Sequence, residues 1–183
     1  MSIKISIKKN FNDKLIKNLV LFCDEKFKIF GLSQLSINNQ KKIINQSLLS
    51  NKLKDKKFIF FNINPNQKII LIKINNKFNQ TDIEKIGAEF FNFINSNSIL
   101  SSAFFEQNIN DLSQKNKYFL DDFLHGVRLK SYLFDKYKSK KRNEIFQITV
   151  SCKNKLKNFD KNKRYNSLIE GTNYTKDLVS EPG

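Results

Sequence analysis

Phe58-Ile59-Phe60-Phe61-Asn62-Ile63, Asn64-Pro65-Asn66, Lys68-Ile69-Ile70-Leu71-Ile72-Lys73-Ile74 and, a few residues on, Thr81-Asp82-Ile83-Glu84 make up the stretch that decides the fold. Two Phe- and Ile-rich runs flank Pro-Asn turn chemistry, the signature of neighbouring strands. Thr81 and Glu84 have capping-box spacing: the Thr hydroxyl accepts from the Glu backbone N–H while the Glu carboxylate reaches back. Behind them Ile83, Ile86, Gly87, Phe90, Phe91 and Ile94 recur with helical period, predicting a helix over 81–95 with one apolar face. Two strands followed by an amphipathic helix set the pattern for the rest of the chain.

Upstream, Ile3, Ile5 and Ile7 alternate with Lys4, Ser6 and Lys8, as in a strand exposed on one face. Leu19-Val20-Leu21-Phe22-Cys23 is a solid apolar run and reads as a strand buried on both faces. A helix is expected from about Asn38 to Leu49, with Ile43, Ile44, Ser47 and Leu48 on one side. Downstream, 98–104 reads as a strand, and 111–132 as one long helix whose buried stripe is Phe119, Leu120, Phe123, Leu124 and Val127. After a solvated basic stretch, Lys136 to Arg142, comes a strand over 145–150. Residues 151–163, rich in Lys and Asn, read as a linker, and Asp160 is placed to cap a last helix carrying Tyr165, Leu168, Ile169, Thr172 and Val179. Strands alternating with helices imply an α/β fold, a sheet of mixed strand direction layered by helices. There is no internal repeat.

A chain of 183 residues holds one ordinary domain, or one domain and the opening of a second. Its 39% hydrophobic and 13% aromatic content is that of a globular protein. The net charge of +16 invites a nucleic-acid reading. Against it, only Arg128, Arg142 and Arg164 among the 33 basic residues are arginine, and the lysines are spread along the whole chain instead of forming one patch. Abundant Lys, Asn, Ile and Phe with little Gly, Pro or Trp is what AT-rich codons encode. Cys23 and Cys152 are too few and too far apart for a disulfide framework or a zinc site, so reduced, buried thiols are expected. The N-terminus alternates in polarity and lacks the apolar segment of a signal peptide, and no apolar run approaches bilayer-spanning length. A cytoplasmic location fits.

The sequence carries little with which to run a reaction. Its one histidine, His125, lies within the expected long helix without a Cys or Ser beside it, and reads as a surface or core-edge residue. Asp121 and Asp122 could suggest a metal site, yet neighbouring helical residues diverge by about 100°, which favours a solvated helix face. The five glycines, Gly31, Gly87, Gly126, Gly171 and Gly183, never cluster into a phosphate-cradling loop. The phenylalanines sit at core spacing and favour packing over base stacking.

Two segments carry a family resemblance. Gly126, Leu129, Tyr132, Phe134, Tyr137 and Lys138 follow the Gly-x-x-Leu-x-x-Tyr-x-Phe-x-x-Tyr-Lys pattern of the N-terminal domain of leucyl (cytosol) aminopeptidases. Gly171, Thr175, Lys176, Asp177, Leu178, Ser180 and Pro182 resemble the segment that enters the catalytic domain of that family, with Thr175 in place of the usual Ala and Ser180 in place of Asn. Upstream, the strand–strand–helix order is similar too, but Asn75-Asn76-Lys77 stands where relatives usually carry glycine. The resemblance spans nearly the whole chain, is specific in the final third and is topological before that.

The resemblance implies a macro-domain-like N-terminal α/β module over residues 1–150, a linker over 151–163, and over 164–183 the start of a truncated peptidase catalytic domain. The full family enzyme is a cytosolic homohexamer that removes N-terminal residues from peptides with two divalent cations, Mn or Zn, which polarise the scissile carbonyl and activate water. The family's metal-ligand stretches, Gly-Lys-Gly…Asp-Ser-Gly-Gly and Asn-Thr-Asp-Ala-Glu-Gly-Arg, do not occur here. No residue of this chain is therefore assigned a catalytic, cofactor-binding or metal-ligating role, and the expected role is scaffold and subunit assembly. The alternative is a basic nucleic-acid-binding module, weakly associating at low salt. Nucleotide binding by analogy with macro domains finds no Gly-rich loop to support it.

Overall fold

The computed structural model describes residues 2–9, 16–30, 56–75, 77–134, 136–137, 144–151 and 161–181. The strands are β1 (Ser2–Lys8), β2 (Asn18–Cys23), β3 (Phe58–Asn64), β4 (Gln67–Lys73), β5 (Ser101–Phe105) and β6 (Ile145–Ser151). They form one sheet in the order β1-β6-β5-β2-β4-β3. Every neighbouring pair is parallel except β3–β4, the hairpin closed by the Pro65-Asn66 turn. The helices among the described residues are α1 (Gln80–Ser96), α2 (Glu106–Ser113), α3 (Phe119–Ser131) and α4 (Lys161–Ser180). The expected α/β fold with a mixed sheet is what the chain adopts.

Burial explains the sheet. Solid apolar runs need cover on both faces, and β2 has it: Val20 and Phe22 join a large core with α1, α2 and α3, while Leu19, Leu21 and Cys23 join a smaller one. In β4, Ile70 and Ile72 divide from Ile69 and Leu71 in the same way. On the helical side Phe22 stands edge-on to Phe119 and Phe123, with centroids 5.0 and 5.4 Å away, and Phe90 and Phe104 complete the cluster. Such pairs add about 0.5–1.5 kcal/mol each beyond area burial. Most phenylalanines among the described residues are packing residues, as their spacing implied.

Helix α1 buries the six residues its period singled out, Ile83, Ile86, Gly87, Phe90, Phe91 and Ile94. Its cap lies two residues earlier than expected. The Asn79 side chain accepts from the Asp82 backbone N–H at 2.9 Å, and the Asp82 carboxylate accepts from the Asn79 N–H at 3.0 Å. Asn caps as well as Thr, and the earlier start places Thr81 and Glu84 inside the helix. At the other end Ile99 N–H donates to Ile94 O at 2.9 Å and Ser98 N–H to Asn95 O at 3.2 Å, a Schellman motif with Ser98 at φ 53°. That turn delays β5 to Ser101, three residues later than the expected strand start.

The expected single helix over 111–132 is two helices. Between α2 and α3, Asn116 accepts from Tyr118 N–H at 2.9 Å and donates to Asp122 at 3.1 Å, closing a local turn that competes with helix continuation. Starting α2 directly after β5 seats Asn108 against β2. There its amide accepts from Phe22 N–H at 2.7 Å and donates to Phe22 O and Phe30 O at 3.0 and 2.8 Å, standing in for a strand partner.

Two glycines let α1 and α3 touch. A Cβ on Gly87 would lie 2.1 Å from Phe123 O, and one on Gly126 would lie 1.9 Å from Glu84 O, so each helix presses backbone on backbone. The last helix forms as expected and buries Tyr165, but Leu168 is 46% and Val179 82% exposed, so its apolar residues do not share one covered face. The expected helix over 38–49, the Asp160 cap, Cys152 and most of the linker and basic stretch lie outside the described residues.

Candidate functional site: the seam between the third and fourth helices

Asp121, Asp122 and His125 are not on a solvated face. They are 5%, 1% and 8% exposed, because α4 lies over the side of α3 that carries them. The solvated face expected of Asp121 and Asp122 is thus covered, while His125 sits at the core edge: polar residues on two helices can bury one another, a pairing that the period of one helix does not reveal.

Tyr165 of α4 is the centre of the cluster. Its hydroxyl donates to Asp122 Oδ1 at 2.5 Å and accepts from Gln80 Nε2 at 3.1 Å. Its ring stacks on His125 with centroids 4.1 Å apart and planes 10° from parallel. Gln80 also donates to Glu84 at 2.9 Å, and Glu84 Oε1 lies 3.3 Å from His125 Nδ1. Burial first, and then the bond to Asp122, push the Tyr165 phenol well above the ordinary tyrosine range, so it remains a donor at any physiological pH. Arg128, one turn further along α3, bonds Asn166; burial lowers its pKa and the nearby Asp121 opposes that shift.

The seam continues toward the ends of both helices. Tyr132 donates to Asp177 Oδ1 at 2.6 Å, and Lys176 reaches Leu129 O at 3.4 Å with its ammonium 5.0 Å above the Tyr132 ring. Lys136 pairs with Glu181, which raises the lysine's pKa. Thr175, at the position where Ala is usual, donates to Gly171 O at 2.9 Å within its own helix. The two segments that carried the resemblance are thus each other's partners, joined through Tyr132, Lys176 and Asp177.

The seam is an unsuitable home for a pair of divalent cations. Both Asp122 oxygens accept hydrogen bonds, from Tyr165 and Asn116, while His125, stacked on Tyr165, has Nδ1 3.3 Å from Glu84 Oε1 and a hydrogen-bond partner at neither ring nitrogen. Among the described residues no three His, Cys, Asp or Glu gather as a metal would need. What these groups do is hold α4 in one rotation about its axis.

The chain superimposes on tomato leucine aminopeptidase (a K354E mutant) with a TM-score of 0.72 over 99% of this chain and 39% of that one, at 17% identity. Its fold is that of the N-terminal domain of leucine aminopeptidase. The bottromycin maturation enzyme BotP matches less closely, with a TM-score of 0.56 over 91% of this chain and 33% of that one, at 9% identity. In sequence, a stretch of 61 residues is 34% identical to a Rhodopseudomonas palustris (strain BisA53) protein named "Probable cytosol aminopeptidase". That stretch is 31% of this chain and 12% of the relative, so only a minor part of either is aligned. No protein-family model matches the sequence.

Within the leucine aminopeptidase fold the quoted motif residues acquire physical roles. Gly126 is the close-approach point on Glu84, Tyr132 and Asp177 hold the two helices together, and Lys176 covers the Tyr132 ring. Three residues of structural weight were not singled out from sequence: Asn108, Glu84 as the partner of His125, and Gln80. A signal existed only for Asn108, a polar residue in an otherwise apolar i, i+1, i+4 set with Ile109 and Leu112. Cys23 is buried as expected, and burial pushes its thiol up to about 12. No helix among the described residues is long and apolar enough to cross a membrane.

Proposed function

We propose that this chain is the N-terminal, non-catalytic domain of a leucyl aminopeptidase, a metal-dependent exopeptidase of the cytosol. The observation that carries the reading is the likeness of fold over 99% of the chain, together with the pairing of its two motif segments along the α3–α4 seam. In this reading residues 1–150 form the α/β module, 151–163 connect it onward, and 164–183 begin the catalytic domain while docking back on the module. The module supplies scaffold and subunit contacts in a homo-oligomer, a hexamer in the whole enzyme. The two cations, Mn or Zn, are held by residues outside this stretch, and removal of N-terminal amino acids from peptides takes place there.

The purified 183-residue chain tests this directly. Incubated with leucyl-p-nitroanilide and either manganese or zinc, it is expected to release no p-nitroaniline above the metal-only blank. Steady turnover that scales with protein concentration would refute the reading, since it would require a metal centre among residues assigned none. Sedimentation velocity on the same sample reports whether the module alone carries the subunit contacts.

A further inference from the structure

The two edges of the sheet are guarded differently. The strand order leaves β1 and β3 outermost, each with one side on which no strand among the described residues pairs. Such a side is a row of main-chain donors and acceptors, a template for another strand, and charged residues along it are a common protection. Strand β1 carries Lys4 and Lys8. Strand β3, Phe58-Ile59-Phe60-Phe61-Asn62-Ile63-Asn64, carries no charged residue and no proline, and its Phe60 is 46% exposed. We propose that β3 pairs antiparallel with β3 of a second copy of this chain, joining the two sheets across a twofold axis.

The hairpin fixes which groups point outward. Lys73 N–H donates to Lys57 O at 2.9 Å, so residues 57 and 73 are a bonded pair of the β3–β4 ladder. By alternation Ile59 with Leu71 and Phe61 with Ile69 are bonded pairs too. The N–H and C=O of Phe58, Phe60 and Asn62 therefore face away from β4. A second β3 overlapping the whole strand puts Phe61 on the axis, flanked by bonded pairs of Phe60 with Asn62 of the second copy and the reverse. On the side of the smaller core, Ile59 then meets Ile63 of the second copy and Phe61 meets its own counterpart. That apolar ladder continues the cluster of Leu19, Leu21, Ile69 and Leu71. A slip of one residue would set outward-facing groups against groups already bonded to β4 and would lose the ladder.

A second copy is the occupant this edge fits. The pattern Ile59-x-Phe61-x-Ile63 reads alike in both directions, so it complements itself about a twofold axis. Isologous pairing occupies the uncharged edge of both copies and leaves only the lysine-bearing edges outward, which closes the assembly at two. Two lysines beside the edge are engaged elsewhere: Lys57 bonds Glu89 at 2.6 Å, and the Lys68 ammonium lies 5.9 Å over the Phe60 ring. Against association works the net charge of +16 on each copy, a repulsion that salt screens. One strand pair with Phe60 covers on the order of 1,000 Å² over both copies, the size of a weak, reversible contact. The inference stands whether or not the chain is part of a peptidase.

Sedimentation velocity of the full chain, from low micromolar to several hundred micromolar, is expected to show a monomer–dimer equilibrium with no larger species. Raising the salt from about 0.05 to about 0.5 M is expected to strengthen it several-fold. Asn62→Lys puts a charge on the edge without touching the β3–β4 ladder. It is expected to weaken the dimer about tenfold or more at unchanged far-UV circular dichroism, while Lys4→Ala, on the opposite edge, leaves it unchanged. In a Cys152→Ser background, Phe61→Cys is expected to give a disulfide-linked dimer on mild oxidation. Asn64→Cys, which the register holds well away from its own counterpart, is expected to give none. The proposal is overturned by a monomer at every concentration in high salt, by a dimer that Asn62→Lys does not weaken or Lys4→Ala weakens as much, or by equal cross-linking at 61 and 64. Growth into open-ended aggregates, or a dimer that salt disperses, overturns it equally.

Discussion

Alanine at Gly126 and alanine at Gly171 are the same substitution in the same secondary structure, and they are expected to have opposite signs. In a helix interior Gly→Ala ordinarily stabilises by about 1 kcal/mol through propensity alone. At Gly171 an added Cβ meets nothing within 4 Å, so that gain of about 0.5–1 kcal/mol should appear undiminished. At Gly126 the Cβ would sit 1.9 Å from the carbonyl oxygen of Glu84, and the atom it strikes is backbone, which no rotamer change can withdraw. To restore even a 3.0 Å contact the two helices must part by at least about 1 Å. A gap of that size forfeits a quarter to a half of the dispersion energy across it. Here it would open beneath Ile83, Phe90, Phe123 and Val127, all fully buried. Overpacking costs about 1–3 kcal/mol at sites that can relax, and this one relaxes only by moving a helix. Net of the propensity gain, Gly126→Ala is expected to destabilise by about 2–4 kcal/mol. For a chain of this length that lowers Tm by about 5–15 °C, whereas Gly171→Ala raises it by about 1–4 °C. Thermal and urea unfolding followed by far-UV circular dichroism read both. A Gly126→Ala protein as stable as the parent, or shifts of one sign at both positions, would refute the reasoning.

Asn108→Ala should cost about 1–3 kcal/mol in urea unfolding, because it strands the buried N–H of Phe22 and takes a donor from Phe22 O and Phe30 O; a loss below about 0.5 kcal/mol would mean that water replaces the amide. Tyr165→Phe keeps the ring stacked on His125 but removes the donor to Asp122, a change expected to cost about 1–2 kcal/mol and to speed amide exchange in α4 before any other helix. Uniform exchange across all helices would count against the seam as a separate fastening. Cys23 is held protonated in the fold up to about 12, against an ordinary value of 9.0. The fold therefore binds that proton more tightly than the unfolded chain, so the stability contributed is complete below pH 9 and is lost as pH climbs toward 12. The urea midpoint should fall above pH 9, with a shallower fall in Cys23→Ala; in a Cys152→Ser background the native thiol should also resist an aromatic disulfide reagent at pH 8 until urea is added.

The sheet was legible because its central strands carry unbroken apolar runs and its edge strand β1 alternates, and a run such as Leu19 to Cys23 has no alternative to burial on both faces. Helix α1 was legible because its apolar period is undisturbed along its length. What escaped were decisions taken by single polar side chains. Asn79 outcompeted Thr81 for the cap, Asn116 closed a turn that divides the expected helix in two, and Asn108 supplied a strand's hydrogen bonds from a helix. Asparagine is the agent each time, since its short amide both accepts from and donates to nearby backbone. In a chain this rich in Asn, local period fixes which residues are buried more reliably than where elements begin and end. The seam escaped for a different reason: the burial of Asp122 depends on Tyr165, which lies 43 residues away.

The two kinds of contact divide the labour within the fold. The sheet and α1 to α3 are held by apolar burial, which is strong and indifferent to direction. Helix α4 is held by Tyr165, Arg128, Tyr132, Lys176 and Lys136 through hydrogen bonds and charge, which are weaker and directional. Directional contacts fix rotation and register more than they add stability. They leave Leu168, Tyr174, Leu178 and Val179 of α4 outward and exposed. On the reading proposed above, that is the demand on a helix that must present one apolar side to a catalytic domain while staying seated on another. A wrong rotation of about 100°, one residue along the helix, would already carry these side chains off their side, and a helix held by apolar contacts alone would have little to prevent it.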